Sequence, residues 1–330
     1  MMNKVISVVT GGTGFVGSHL VDRLLEIGHS VKCIVRKTSN LRWLKDKPVE
    51  LIDSGLTDKD SLRNVLKDAD YLFHCAGVVK AKDEKGYFDG NVLTTQNLLE
   101  ACEEVCPGIK RIIIISSQTA CGPSLDRIPC DEKVIPHPIT TYGRSKLEQE
   151  KVSQSFMNRL PITIIRPPAI YGERDTEIYL VFKTYKAGLF SLIGFNKKLL
   201  SIVHIADLIN GIELAAFNEK ATGQIYFISS EKFYDWKEIK SAMKKGFNRN
   251  SIIVRLPHFI VYSVAAIAEI FSKFSSKPAT FNLEKARDWV QENWTCSVTK
   301  AIDELGYSQE VTLEEGMKRT VEWYKEMKWL

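Results

Sequence analysis

Tyr142 and Lys146 stand four residues apart in the stretch T-T-Y-G-R-S-K. On a helix that spacing puts a phenol and an ammonium on one face, one turn apart. A free phenol ionises near pH 10, too high for a base at neutral pH, and a neighbouring cation favours the phenolate. The spacing therefore predicts a lowered phenol pKa and proton transfer to or from a substrate oxygen. Ser116 and Ser117 follow the apolar run R-I-I-I-I. Ligands of open parallel sheets sit at the carboxyl ends of strands. A hydroxyl at such an end is placed to hydrogen-bond a reacting carbonyl oxygen.

A second chemical signal lies near the start of the chain, in S-V-V-T-G-G-T-G-F-V-G. Gly12, Gly14 and Gly17 satisfy G-x-G-x-x-G, and Gly11, Gly14 and Gly17 satisfy the variant with one more residue between the first two. An apolar strand precedes them and an amphipathic pattern follows. A helix N-terminus carries unpaired N–H groups and partial positive charge, and glycines let a pyrophosphate approach its backbone. The run predicts dinucleotide binding. The next strand-like segment ends C-I-V-R-K-T-S, so Arg36 stands where an acidic residue would grip the adenosine ribose. Arginine pairs bidentately with phosphate, which favours NADP(H) over NAD(H).

These groups need a scaffold, and the first two hundred residues alternate strand and helix patterns. Strands are expected at K-V-I-S-V-V-T, S-V-K-C-I-V-R, V-E-L-I-D, D-Y-L-F-H-C-A-G, R-I-I-I-I-S-S and I-T-I-I-R-P, with helices between most of them. That alternation predicts an α/β fold, a doubly wound, mostly parallel Rossmann sheet covered on both faces. G-Q-I-Y-F-I-S-S reads as one more strand of that sheet. From Phe233 onward helical patterns dominate, including T-F-N-L-E-K-A-R-D-W-V-Q-E-N-W. The expected division is a dinucleotide-binding domain over residues 1–175, with 201–230 returning to it. A smaller, mainly helical substrate lobe would take 176–200 and 231–330.

Composition excludes several classes. The 330 residues are 44% apolar and 26% charged, with a net charge of +5 and no block of like charges, so nucleic acid is not implied. Seven cysteines, an odd number without metal-ligand spacing, suit reduced thiols in the cytoplasm. No metal site, signal peptide or membrane span is expected. The most apolar stretch, Phe259 to Phe271, is interrupted by Glu269 and reads as a half-buried amphipathic helix; a membrane-surface position or a pocket wall is the alternative. His74 and Asn91 are expected to brace strand ends beside the cofactor. His204 is expected to be structural, and the aromatic tail around Trp323, Tyr324 and Trp329 to pack against the core.

Taken together, the motifs resemble the extended short-chain dehydrogenase/reductases, the NAD-dependent epimerase/dehydratase family. T-G-G-T-G-F-V-G is similar to its cofactor turn, F-H-C-A-G to the strand end beside the cofactor, and I-S-S-Q-T-A-C-G to its serine-bearing strand end. The resemblance implies Ser117, Tyr142 and Lys146 as catalytic residues. It implies cofactor contacts from Gly11, Thr13, Gly14, Phe15, Val16, Arg36, Ala76, Gly77, Tyr142, Lys146 and Pro167. It also implies a homodimer through the helices over 91–105 and 140–156.

Departures narrow the reading. Ala169 stands where sugar-nucleotide epimerases usually carry an asparagine, and Ser54-Gly55-Leu56 replaces a Gly-Asp-Leu whose aspartate contacts adenine. The later segments are more similar to the branch of 3β-hydroxysteroid dehydrogenases and dihydroflavonol reductases, which implies an apolar alcohol or ketone substrate. The expected activity is hydride transfer between a nicotinamide cofactor and a hydroxyl or carbonyl, with Tyr142 as acid/base. The competing expectations are a nucleotide-sugar epimerase or dehydratase with tightly bound NAD, and a non-catalytic cofactor-sensing protein.

Overall fold

The computed structural model describes residues 4–273 and 281–330. Six strands build most of the central sheet: β1 (Ile6–Thr10), β2 (Ser30–Val35), β3 (Val49–Asp53), β4 (Tyr71–His74), β5 (Arg111–Ile115) and β6 (Ile162–Arg166). The strand Ile225–Phe227 adds a seventh, beside β6. Every pairing is parallel, and the order runs from Ile225–Phe227 through β6, β5, β4, β1 and β2 to β3. The winding reverses between β1 and β4, where Thr10 lies opposite His74. In such sheets that reversal opens the ligand crevice.

The inner strands β5 and β6 are buried along their whole length because both faces are covered, whereas the edge strand β3 exposes Glu50 and Asp53. Alternate residues serve opposite cores. On one face Val9, Phe73, Ile113, Ile115 and Ile165 pack with α1 (Phe15–Glu26) and the helix Ile205–Phe217. On the other, Val8, Leu72, Ile112, Ile114 and Ile164 pack with α2 (Lys59–Leu66), α4 (Thr94–Val105) and the end of α5 (Thr141–Phe156). A short α3 (Glu84–Phe88) runs into α4 through a π-helical turn, Asp89–Leu93. Gly28, at φ +87°, turns the chain out of α1 into β2, as the glycine after that helical pattern predicts.

Beyond the sheet, a third core gathers Phe182, Tyr185, Phe190, Met243, Met317 and Tyr324. The tail belongs to it: Trp329 stacks on Tyr324 and Trp323 meets the same ring edge-on, and the Tyr324 hydroxyl donates to Asp175 O at 2.9 Å. Two features of this half differ from the sequence expectation. Ile252–Leu256 pairs in parallel with Leu189–Ile193, a small two-stranded sheet whose short apolar runs have no clear period. The helix expected over T-F-N-L-E-K-A-R-D-W-V-Q-E-N-W occupies only Leu283–Val290, after which Asn293–Trp294 pairs with Leu199–Leu200. Tertiary pairing overrides helix propensity there.

α5 is fastened to the sheet by charge. Arg166, at the end of β6, donates through Nε and Nη2 to the two carboxylate oxygens of Glu150 at 2.9 and 2.7 Å. Ser116 donates to the same carboxylate. Both ions are almost wholly buried. Breaking such a pair leaves an uncompensated charge and costs about 3–5 kcal/mol. Arg166→Leu is therefore expected to lose stability on that scale, read as a fall in the urea unfolding midpoint. Arg166→Leu combined with Glu150→Leu should recover part of the loss.

Candidate active site

The glycine turn is sterically committed. Gly11 adopts φ +71°, and a Cβ there would fall 2.6 Å from the Ala76 nitrogen at the end of β4. A Cβ on Gly17 would fall 2.2 Å from the Gly11 carbonyl oxygen. The turn therefore packs against both the start of α1 and the strand end beyond the winding reversal, and only glycine fits. Gly14 is the N-cap of α1 and supplies no side chain to its first-turn N–H groups. An uncapped helix start beneath a bare glycine turn fits a pyrophosphate. Thr13, Phe15 and Val16, all partly exposed, line the same turn.

At the next strand end the backbone and a lysine meet. Gly77 has room for a Cβ only at 3.1 Å from Asn91 Oδ1 and 3.9 Å from Lys146 Nζ. Asn91 sits in the π-helical turn. It accepts from the Val78 N–H at 2.7 Å and donates to Val78 O at 3.1 Å and to Ser145 Oγ at 2.9 Å. It thus braces the strand-end loop, as expected, and also ties that loop to α5. Ala76 donates its N–H to Thr10 Oγ1 at 3.2 Å.

Lys146 is buried, and its ammonium donates to Ile115 O at 2.7 Å and to the Gln149 side-chain oxygen. From Gln149 a chain of hydrogen bonds crosses the core. Gln149 Nε2 donates to Thr95 Oγ1 at 2.8 Å, and Thr95 donates onward to Asn91 O at 2.6 Å. His74 Nε2 lies 2.8 Å from the same Thr95 oxygen, and His74 Nδ1 lies 2.7 Å from Thr10 Oγ1. Since the Thr95 hydroxyl proton is already given to Asn91, Nε2 is the histidine's donor and Nδ1 its acceptor. Burial, with Lys146 nearby, pushes His74 down to about 3, so it is neutral at physiological pH. Nothing in the spacing of residues 10, 74, 95 and 149 announces this chain. The signal available in sequence was a hydroxyl or imidazole at each strand end or facing helix.

Tyr142 lies at the start of α5, which Thr140 caps by accepting from the Gly143 N–H at 3.1 Å. Ser117 caps a short turn after β5, accepting from the Thr119 N–H at 3.2 Å and from the Thr119 hydroxyl at 2.9 Å, and it lies near enough to the Tyr142 phenol to favour its ionised form. The predicted lowering of the phenol is overturned. Burial dominates and raises Tyr142 to about 12. Ser117 pulls the other way, and Asp288, Tyr87 and Glu177 add to the rise. Lys146 is itself pushed down to about 8 by burial, and it spends its hydrogen bonds on Ile115 and Gln149. Desolvation, which disfavours both charged forms, outweighs the attraction that the i, i+4 spacing suggests.

One predicted residue stands apart. Arg36 lies beyond β2, exposed, with its side chain over Gly55; its backbone N–H donates to Ser39 Oγ at 3.0 Å. No described residue pairs with its guanidinium. Pro167 is buried and its carbonyl accepts from Gln118 N–H at 2.8 Å, which sets the segment carrying Ser117. Unforeseen was Leu283–Val290, whose Glu284 accepts from Thr141 N–H at 2.8 Å and whose Asp288 acts on Tyr142. A cleft among Asp131, Glu132, Gln224 and Lys300 lies by the amino end of Ile225–Phe227, opposite the carboxyl ends where these groups converge.

The NAD-dependent epimerase/dehydratase family model matches residues 7–234. A ceramide reductase of Caulobacter vibrioides is 26% identical over 327 residues, covering 98% of this chain and 96% of that protein. A decarboxylating sterol-4-alpha-carboxylate 3-dehydrogenase of Dictyostelium discoideum is 27% identical, covering 94% of this chain and 98% of that protein. The crystal structure of UDP-glucose 4-epimerase from Thermotoga maritima superposes with a TM-score of 0.80 at 22% identity, covering 98% of this chain and 100% of that one. At that identity the likeness concerns the fold alone.

Lys146 makes a stability prediction whose sign follows from its lowered pKa. Between about pH 8 and the ordinary lysine value the unfolded chain binds a proton that the folded chain does not, so stability rises with pH. The rise is at most about 1.4 kcal/mol per pH unit. Urea midpoints of the wild type should therefore climb from pH 7.5 to 9.5 relative to Lys146→Met, in which this contribution is gone.

Proposed function

The chain belongs to the NAD-dependent epimerase/dehydratase family, and from that premise we propose that it is an NADP(H)-dependent reductase or dehydrogenase of an apolar alcohol or ketone. The single observation that carries this reading is the convergence of Ser117, Tyr142 and Lys146 beside Gly77 and the glycine turn. Residues 1–175 and 201–230 hold the cofactor in this reading, and 176–200 with 231–330 form the substrate lobe. Gly11, Thr13, Gly14, Phe15 and Val16 cradle the pyrophosphate, while Ala76, Gly77 and Pro167 flank the nicotinamide end. A homodimer through α4 and α5, in the cytoplasm, completes it. No helix among the described residues is long and apolar enough to cross a membrane.

When bound, the nicotinamide supplies or accepts the hydride at the substrate carbon. The chain's residues handle the oxygen. Ser117 holds it, and the neutral Tyr142 phenol donates its proton as the carbonyl becomes an alcohol; in the reverse direction the phenolate takes that proton back. A phenol held near 12 is protonated at neutral pH and so ready for the reductive direction. Lys146 places a cation beside the ribose end of the cofactor site and sets the register of α5. The exposed, unpartnered Arg36, with Ser39 beside it, supports the 2′-phosphate of NADP. Ala169 offers a methyl where an amide would serve a sugar nucleotide. The names of the ceramide and sterol relatives support an apolar substrate.

Two measurements test this. Tyr142→Phe should lower NADPH oxidation about 10²–10⁴-fold while keeping the thermal shift that NADP produces. Normal turnover by this variant would sink the assignment. Arg36→Glu should weaken NADP binding roughly 10–100-fold, the worth of a charged hydrogen-bonded contact, with little effect on NAD. Stabilisation by UDP-sugars, with bound NAD and no net redox change, would instead mark an epimerase.

A further inference from the structure

The helix Leu283–Val290 lies along the start of α5. Its Glu284 accepts from the Thr141 N–H at 2.8 Å and from the Thr141 hydroxyl at 2.7 Å. Arg287 donates to Ile139 O at 3.2 Å. These contacts hold the helix against the residues that lead into Tyr142. Ala286, between them, packs with Val261 and Ala265 of the helix His258–Lys273. Asp288 follows Glu284 by four residues, so it stands one turn further along the face that meets α5. Its charge acts on the Tyr142 phenol and on Tyr87, whose ring centroid lies 6.3 Å from that of Tyr142.

Three carboxylates act on this pair of rings, and the fold occupies two of them. Glu284 gives both oxygens to Thr141. Glu177 gives one oxygen to Lys80 at 2.5 Å and the other to Lys285 at 2.8 Å. Asp288 differs. Its backbone carbonyl accepts from Trp294 Nε1 at 3.0 Å, but its Oδ1 is buried without a hydrogen-bond partner among the described residues. The neighbouring cations are engaged elsewhere, Lys285 with Glu177 and Arg287 with Ile139. Burial, with Glu284 adding, pushes Asp288 up to about 7, against the pull of Lys285 and Arg287. A buried acceptor that the fold leaves unmatched is destabilising, and beside reacting groups it serves a ligand's donor.

We propose that Asp288 sets substrate specificity: its free oxygen accepts a hydrogen bond from a second group of the substrate, a hydroxyl or N–H close to the reacting carbonyl. This role rests on the Tyr142 site proposed above and narrows its substrate. The preferred ligand is a ketone or alcohol with an apolar body and one added donor. A plain ketone leaves Oδ1 unpaired, and a site built to hydrogen-bond a substrate rejects the analogue that lacks the donor. A keto acid brings a second carboxylate beside the first, where like charges repel. Asp288 moves no proton in this reading; it places the substrate against Tyr142.

The test is calorimetric titration of the full chain with NADP⁺ present, so that a ketone binds without being reduced, at pH 8, where Asp288 is ionised. The probes are octan-2-one, its 1-hydroxy and 4-hydroxy derivatives, and 2-oxooctanoate. At least one hydroxy ketone should bind about 10–100-fold more tightly than octan-2-one, as expected of a hydrogen bond to a charged group. The keto acid should bind most weakly. Asp288→Leu should bring the three neutral ketones to within about threefold of one another, because the acceptor is gone. Asp288→Asn keeps an acceptor without the charge, so it should retain the preference for the hydroxy ketone and lose the rejection of 2-oxooctanoate. A merely structural carboxylate would change the thermal midpoint of these variants without reordering the ligands. Equal affinities of the wild type for the neutral ketones, binding of none of them, or a preference that survives Asp288→Leu overturns the proposal. NADPH oxidation with the tightest ligand is read separately. Ordered binding without turnover would strike the proposed activity and leave the assignment of Asp288 standing.

Discussion

The buried pairing of Arg166 with Glu150 is the interaction from which the site's geometry follows. It joins the end of β6 to the middle of α5, and Ser116 adds the end of β5 to the same carboxylate. One turn toward the helix start, Lys146 is tied to Ile115 O on β5. One further turn carries Tyr142 to Ser117. Three consecutive turns of one helix are thus indexed against two strand ends. Bidentate geometry and the third hydrogen bond from Ser116 offset part of the desolvation of two charges, while Arg166 Nη1 stays buried without a hydrogen-bond partner among the described residues.

Desolvation also sets the protonation states. His74, Tyr142 and Lys146 are all moved toward their neutral forms, chiefly by burial. In place of a phenolate pre-formed by a neighbouring cation, the chain presents a protonated phenol. A lysine closer to neutrality and a neutral histidine of one tautomer complete the set. Tyr142 and His74 are thus uncharged at neutral pH, while Lys146, at about 8, keeps most of its charge. The hydrogen-bond chain from Lys146 through Gln149, Thr95 and His74 to Thr10 links α5, α4, β4 and β1, the elements that meet where the winding reverses.

The second half of the molecule turns two different surfaces in opposite directions. The hairpin of His258–Lys273 and Leu283–Val290 shows carboxylates and their hydrogen bonds to the start of α5, and a bare apolar face to the outside. The half-buried helix expected from composition is in fact mostly exposed, because its inner stripe is two small residues wide. A helix that leaves so wide an apolar face exposed is at odds with water unless something covers it.

Much of the molecule was legible from residue types and order alone. Buried parallel strands must be apolar on both faces, so their runs are unmistakable, and the glycine turn reads clearly because Gly11 and Gly17 meet backbone that no side chain clears. The i, i+4 spacing placed Tyr142 and Lys146 on one face of a helix. Their pKa directions were not legible, since burial is a property of what packs around a residue, and Lys146's partners Ile115 and Gln149 come from a strand and from the helix's next turn. Nor was the short sheet of Leu189–Ile193 with Ile252–Leu256, nor the reach of Glu284 and Asp288 into the site from more than a hundred residues away. Local pattern determines which elements form; only the folded chain decides which distant groups meet and how much water they lose.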